Sequence, residues 1–133
     1  MATIKSYTDL EQSKKLAKIL PLESADGFWE YHDRWCSEGD EWEGYEDYPR
    51  AEPYLEYTRK ENEWKEDKSD VPCWSLAALL DVLPKIINNE TLFIETSAAL
   101  WHIGYRNLYT ARTDNPVDTC VEMIVKLHEL NLL

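Results

Sequence analysis

The sequence predicts an α+β domain in which about three helices pack on a small antiparallel sheet of two or three strands. Apolar residues recur at helical spacing near both ends of the chain, and they fill almost every position of Pro72–Leu83. Beyond residue 91 the apolar period becomes two, as in half-buried strands. Local strands flanked by helices are typical of the α+β class. With 133 residues, the chain is expected to form a single domain, 1–133.

The first helix is predicted to start at Thr8. The stretch Thr8-Asp9-Leu10-Glu11 has the pattern of a capping box, in which the Thr8 hydroxyl accepts from the Glu11 amide and the Glu11 carboxylate reaches back to the Thr8 amide. Pro21 is expected to end this helix, because proline cannot continue it.

The middle of the chain is predicted to be an acidic, aromatic-rich insert of about residues 37–70. It follows Gly27–Trp35, where dense aromatic residues indicate a strand. Within the insert the periodicity is poor, although aromatic spacing in Tyr54–Trp64 indicates a short helix. So many aromatic residues argue against full disorder despite the charge.

Pro72–Leu83 is predicted to be a buried helix, because its apolar residues leave no polar face. Period-two segments then predict strands at Leu92–Ile94, Leu100–Tyr105 and Leu108–Ala111, which would form an antiparallel meander.

The last helix is predicted to open at Asn115-Pro116. Asparagine is a good N-cap, and proline at the first helical position loses no hydrogen bond. The helix is expected to bury one stripe, made by Val117, Cys120, Val121, Ile124 and Leu127.

Charge is concentrated in one stretch of the chain. Residues 23–70 hold 17 Asp/Glu against six Lys/Arg, a net charge of −11 out of −12 for the whole chain. Such a surface repels phosphate, so direct binding to nucleic acid or to an anionic membrane is not expected. The longest apolar run, Leu76–Leu80, is too short to span a bilayer, and Met1–Tyr7 lacks the apolar core of a secretory signal. We therefore expect a cytoplasmic protein with a basic protein as partner.

Cys36, Cys73 and Cys120 are an odd number of cysteines without C-x-x-C spacing, so we expect reduced thiols that mostly act as small buried hydrophobes. A nucleophile hypothesis would combine Cys36 or Cys73 with His32, His102 or His128. The acidic neighbours of Cys36 would raise the pKa of its thiol, which disfavours that chemistry. No catalytic residue is predicted, and the balance is against an enzyme.

The same acidic stretch carries ten of the sixteen aromatic residues. Tryptophan and tyrosine are enriched at interface hot spots, and cation–π contacts to Arg or Lys would add to charge attraction. The sequence therefore predicts a partner-binding surface made by Glu38, Asp40, Glu41, Trp42, Glu43, Tyr45, Glu46, Asp47 and Tyr48.

Other functions stay open beside this one. The carboxylates of residues 38–47 do not follow the order of a calcium loop, and no H-x₃-H, H-E-x-x-H or phosphate-binding glycine loop occurs, so neither a metal nor a cofactor is predicted. The alternatives are a small hydrolase-like enzyme, a small-ligand-binding protein with an aromatic cleft, or a mimic of nucleic acid whose carboxylates replace phosphates.

Three segments together resemble a known group of proteins. They are Tyr7–Leu16 running on to Pro21–Asp26, then Pro72–Leu80, and finally Asn115–Asp118 followed by Met123-Ile124. This combination resembles short uncharacterised proteins carried by phages and other mobile elements of gut bacteria. The resemblance covers both ends of the chain but not the acidic middle. It implies a cytoplasmic accessory protein of a mobile element and assigns no functional residue.

Overall fold

The computed structural model describes residues 5–35, 41–58, 64–65, 69–110 and 112–133, with the side chains of all but 33–35, 41–42 and 58. Among these residues are four α-helices and several antiparallel sheets of two or three strands, which confirms the α+β prediction. The chain divides into two compact units: Asp9–Trp74, and Met1–Thr8 together with Ser75–Leu133.

The Asp9–Trp74 unit is built on two small sheets. Strand β1 pairs with β4 and strand β2 pairs with β3, both antiparallel, while helix α1 packs against β4. Fully buried side chains from α1, β1, β4 and the residue after β4 form its core, among them Leu16, Phe28, Val71 and Trp74. Its elements are α1 (Leu10–Ala17), a 3-10 turn (Leu22–Ser24), β1 (Gly27–Trp29), β2 (Tyr31–Trp35), β3 (Glu41–Tyr45), α2 (Tyr54–Thr58) and β4 (Val71–Cys73).

Helix α1 begins one residue later than the sequence predicts. Asp9, not Thr8, is the N-cap: its carboxylate accepts from the Gln12 amide at 2.8 Å, and the Gln12 side chain accepts from the Asp9 amide at 3.0 Å. Aspartate caps somewhat better than threonine, which explains the shift. The helix also ends at Ala17, before Pro21.

The strand predicted over Gly27–Trp35 is present but divided at Glu30. The division allows the chain to change partners, because β1 pairs with β4 whereas β2 pairs with β3. The helix predicted in Tyr54–Trp64 is described for Tyr54–Thr58 only.

In the other unit, three strands form the predicted meander. They pair in the order β7-β8-β9, and helix α4 packs against β8 and α3. The predicted stripe of α4 is buried, and Asn115 caps the helix by accepting from the Val117 amide at 3.1 Å, with Pro116 as the first residue. The elements are α3 (Leu76–Val82), β5 (Ile86–Ile87), β6 (Glu90–Thr91), β7 (Phe93–Ser97), β8 (Leu100–Tyr105), β9 (Leu108–Tyr109) and α4 (Pro116–Glu129).

The fully buried helix predicted over Pro72–Leu83 is wrong in two respects. Its first two residues, Pro72 and Cys73, belong to strand β4, and the helix begins only after Ser75, whose hydroxyl accepts from the Ala78 amide at 3.2 Å. Within the helix, only Leu79 is classed as buried. Alanine at an exposed helical position costs little, so an apolar composition does not by itself require burial.

Two tight turns in this unit place non-glycine residues in the left-handed region. Asn88 and Asn89, with φ of 49° and 65°, join β5 to β6, and asparagine tolerates this conformation. Ala98 and Ala99, with φ of 53° and 64°, join β7 to β8. Alanine has no side-chain polar group to offset the cost, so this hairpin carries strain.

Replacing Ala98 with asparagine and Ala99 with glycine is expected to raise the free energy of unfolding by about 1–2 kcal/mol. The preferred residues relieve the strain at both positive φ angles, and chemical denaturation would measure the gain. As a control, glycine in place of the exposed helical Ala77 should lower the stability by about 0.5–1 kcal/mol. A double variant no more stable than the parent would show that the turn is not strained.

Candidate functional site

Three side chains of the kinds that bind metal ions or transfer protons lie on one face of the β2–β3 hairpin and the residues next to it. The register pairs Tyr31 with Tyr45, and the Glu46 amide donates to the Glu30 carbonyl at 3.1 Å, so Glu30 and Glu46 lie opposite each other. His32 is two residues beyond Glu30 on the extended chain, which places it on the same face. This set of Glu30, His32 and Glu46 is called the hairpin triad below.

Short distances join the members of the hairpin triad. Nε2 of His32 lies 2.9 Å from Oε1 of Glu46 and 3.7 Å from Oε1 of Glu30. The second oxygen of each carboxylate faces Arg50, whose Nε lies 2.8 Å from Oε2 of Glu30 and 3.7 Å from Oε2 of Glu46. Oε2 of Glu30 is buried and makes no hydrogen bond of acceptable geometry, so its close approach to Arg50 is an ion pair only.

Burial falls from the centre of this group to its edge. The exposed fractions of the side chains are 8% for His32, 17% for Glu30, 31% for Glu46 and 52% for Arg50. The main chain of Arg50 is fixed by two hydrogen bonds with Phe28, of 3.0 and 2.8 Å. The group is therefore a preorganised set of charges, with imidazole at its buried end and guanidinium at its exposed end.

The opposite face of the hairpin carries aromatic side chains. The rings of Tyr31 and Tyr45 meet edge to face with centroids 5.2 Å apart, and the Tyr31 hydroxyl donates to the Glu43 carboxylate. Nζ of Lys14 lies 5.2 Å from the centroid of the Tyr45 ring, a cation–π geometry. The contact between Lys14 and Tyr45 is of the same kind as the contacts by which a basic partner would bind aromatic side chains.

Asp70 ties the hairpin to the segment before β4. Its carboxylate accepts from the Tyr31 amide at 2.8 Å, and its carbonyl accepts from Nε1 of Trp64 at 3.1 Å and from the Tyr54 hydroxyl at 3.4 Å. Burial, and then the charge of Asp70, raise the pKa of Tyr54 to about 12. The neighbouring ring of Tyr57 stacks on Phe28 with centroids 3.9 Å apart. These aromatic residues support the fold of the unit.

Residues of the predicted partner surface have different positions. Glu38 and Asp40 lie outside the described residues, and Glu41 and Trp42 belong to β3 by their backbone alone. Tyr45 is half-buried under Lys14, and Glu46 belongs to the hairpin triad. The remaining members are exposed: Glu43, Asp47 and Tyr48.

Two members of the hairpin triad escaped the sequence interpretation. His32 was considered only as a partner of a nucleophilic cysteine, Cys36 or Cys73, and Glu30 was not considered. The signal that could have revealed them is Glu-x-His in a segment predicted to be a strand, because that spacing puts both side chains on one face. Glu30 and His32 come close to Glu46 only because of the pairing register of the hairpin. Neither a sequence motif nor the charge pattern indicates that register.

The described cysteines are buried and free, as the sequence interpretation expects. Burial, followed by the charge of Asp26, raises the pKa of the Cys73 thiol, and burial alone raises that of Cys120 to about 12. Both thiols stay protonated at neutral pH, whereas cysteine nucleophiles react as thiolates. Neither residue suits the nucleophile hypothesis.

Comparison with protein-family models, curated proteins and solved structures finds no match to this chain. Among the residues for which a conformation is given, no helix is both long and apolar enough to cross a bilayer. Functional inference therefore starts from the hairpin and its surroundings.

Proposed function

We propose that the chain is a non-catalytic interaction protein, an accessory protein of a phage or mobile element, which binds a basic protein through an acidic and aromatic surface. The observation that carries this proposal is Tyr48, which is 80% exposed and directly follows the exposed Asp47 in the sequence. A large amphipathic ring left in solvent, in a segment rich in negative charge, is suited to an Arg or Lys side chain.

Other exposed carboxylates in the same stretch of sequence support the same partner chemistry. Glu43, Glu52 and Glu56 are also exposed, in a stretch whose net charge is −11. We call these three residues, Asp47 and Tyr48 the acidic surface. Negative charge attracts a basic partner over several ångströms and sets its orientation, while the aromatic ring supplies buried area after contact.

The acidic surface is tested with an immobilised arginine-rich peptide and the full chain, at low and at moderate salt. Changing Asp47 and Glu52 to lysine is expected to weaken binding about tenfold or more, because two attractive charges become repulsive. Tyr48→Ala should weaken it by a smaller factor that persists at moderate salt, since the ring contact is not screened as strongly as the charges. The binding affinity is measured at each salt concentration.

The matched control changes Asp81 and Glu129 to lysine. Both residues are exposed, and the net charge of the chain changes by the same amount as in the first variant. Both lie in the last turns of helices, where lysine is well tolerated. If the two double variants weaken binding equally, the peptide responds to net charge and the acidic surface is not a site.

Nucleic-acid mimicry is a special case of this proposal, in which the basic partner is itself a DNA-binding protein. Carboxylates would then occupy the groove that phosphates normally fill. Mixing the chain with a basic DNA-binding domain and duplex DNA distinguishes the two, because a mimic competes with the duplex, whereas another type of binder forms a complex that leaves DNA binding unchanged.

A further inference from the structure

We propose that the hairpin triad of Glu30, His32 and Glu46 binds a divalent transition-metal ion of the zinc class. Three potential ligand atoms converge: one from each of Glu30, His32 and Glu46, all within 4.8 Å of one another. Nε2 of His32 faces Oε1 of both glutamates. The ligand set is one imidazole nitrogen and two carboxylate oxygens, which zinc and its neighbours among the divalent metals accept. This site goes beyond the acidic surface and does not depend on it.

The distances within the triad suit an ion at its centre. Bonds of about 2.0–2.1 Å in a tetrahedral arrangement put neighbouring ligand atoms about 3.3 Å apart. The two distances from Nε2 of His32, 2.9 Å to Glu46 and 3.7 Å to Glu30, lie on either side of that value. The ligand atoms of the two carboxylates lie within 4.8 Å of each other, so shifts of up to about 1.5 Å would create the coordination geometry, and three protein ligands leave a fourth position open.

The charge arrangement also calls for a cation at this point. Two carboxylates directly opposite each other on antiparallel chains repel, and such pairs destabilise a hairpin unless positive charge lies between them. Arg50 compensates the Oε2 atoms, while the Oε1 atoms face Nε2 of His32. A metal ion at the Oε1 atoms would place positive charge on that side of both carboxylates as well.

Arg50 then has a positioning role in the same site. Its ion pair of 2.8 Å with Oε2 of Glu30 directs Oε1 of that residue towards His32. Metal-binding carboxylates are commonly held by a second group in this way. Because the ion uses the lone pair of Nε2, a neutral imidazole would carry its proton on Nδ1 in the metal-bound form, and an imidazolium would release one proton to solvent.

The chain offers a matched control for this site. His102 is also buried, and its Nε2 lies 3.2 Å from Oε1 of Glu95. Among the described residues, no second carboxylate joins that pair in a metal-type cluster. The pair therefore reproduces the histidine–glutamate contact of the hairpin triad with one ligand fewer.

The test is a titration of the full chain, freed of metal by a chelator, with Zn²⁺ by calorimetry and with Co²⁺ by visible absorption. We expect one ion per chain and a Co²⁺ spectrum of four-coordinate type. His32→Gln and Glu46→Gln should each lower the affinity for the ion by about tenfold or more. Even residues that only orient a metal ligand through a hydrogen bond commonly change metal affinity by about 10–100-fold, so losing a ligand should have at least that effect. His102→Gln should leave the affinity unchanged.

Circular dichroism without metal shows which variants fold. His32 is buried, so its variant carries the greater risk of misfolding, whereas Glu46 is partly exposed and its amide is nearly isosteric. If His32→Gln does not fold, Glu46→Gln decides. The proposal is overturned if the parent chain takes up no ion, or if Glu46→Gln binds as tightly as the parent and His102→Gln. When the binding of the arginine-rich peptide is also measured in the presence of chelator, the two proposals fail independently.

Discussion

Replacing Trp74 with alanine is expected to lower the free energy of unfolding by about 3–5 kcal/mol. The side chain is fully buried, directly after β4 in the Asp9–Trp74 unit, and no fully buried side chain among the described residues is larger. Its loss removes apolar burial and leaves a cavity that a close-packed interior closes only in part. Since domains of this size are stable by about 5–15 kcal/mol, the variant should lose about a fifth of its stability or more.

The tryptophan also takes part in a hydrogen-bond relay. Nε1 of Trp74 donates to the Ser24 hydroxyl at 2.8 Å, and that hydroxyl donates to the Pro21 carbonyl at 2.6 Å. Trp74→Phe retains most of the apolar area and removes the donor, so it should cost about 1–2 kcal/mol. The difference between the two variants separates packing from hydrogen bonding, and urea denaturation followed by circular dichroism measures both.

Tyr48→Ala provides the comparison. Its side chain is 80% exposed, so its removal should change the stability by less than about 0.5 kcal/mol while it weakens binding of the basic peptide. The two substitutions are therefore expected to have different effects: loss of the Trp74 side chain lowers stability, whereas loss of the Tyr48 side chain weakens binding. A large loss of stability in the Tyr48 variant, or none in Trp74→Ala, would contradict the division between core and surface aromatic residues.

Features set by neighbouring residues were predicted well from the sequence. The start of α4 at Asn115-Pro116 depends on one side chain and its next amides, and the structure has it where the sequence places it. The start of α1 was wrong by one residue, because Thr8 and Asp9 are both capping residues and local chemistry favours the second only slightly.

Features that depend on distant pairing were not predictable in the same way. Strand β4 pairs with β1 across more than forty residues, and Pro72 and Cys73 were assigned to a helix because the sequence does not reveal that partner. The hairpin triad has the same origin: Glu30 and His32 are near neighbours, but Glu46 joins them only when Tyr31 pairs with Tyr45. A shift of one residue in that register would turn Glu46 to the other face of the hairpin.

Replacing Gly104 with alanine is expected to lower the free energy of unfolding by about 1–3 kcal/mol. The sign of this change identifies its cause. Gly104 lies in β8 between Phe93 of β7 and Tyr109 of β9. A Cβ atom built on it would collide with the Leu108 carbonyl and lie 2.5 Å from Cα of Tyr109. These are backbone atoms, so no side-chain rotation relieves the contact and β9 must move.

The sign of the Gly104 effect is diagnostic because glycine-to-alanine changes without a clash usually act the other way. Where the backbone accepts alanine, the unfolded chain loses freedom and the protein gains about 0.4–1 kcal/mol. Denaturation of Gly104→Ala therefore tests whether β9 lies as close to β8 as the structure has it. A second measurement is amide exchange at Thr110, whose amide donates to the Ile103 carbonyl at 3.0 Å. This exchange should become faster in the variant. Ser97→Thr adds a methyl group to exposed β7 and should stay within about 0.5 kcal/mol of the parent. A gain in stability for Gly104→Ala would mean that β8 and β9 are further apart than in the structure. A steric clash would then not be the reason for glycine at this position.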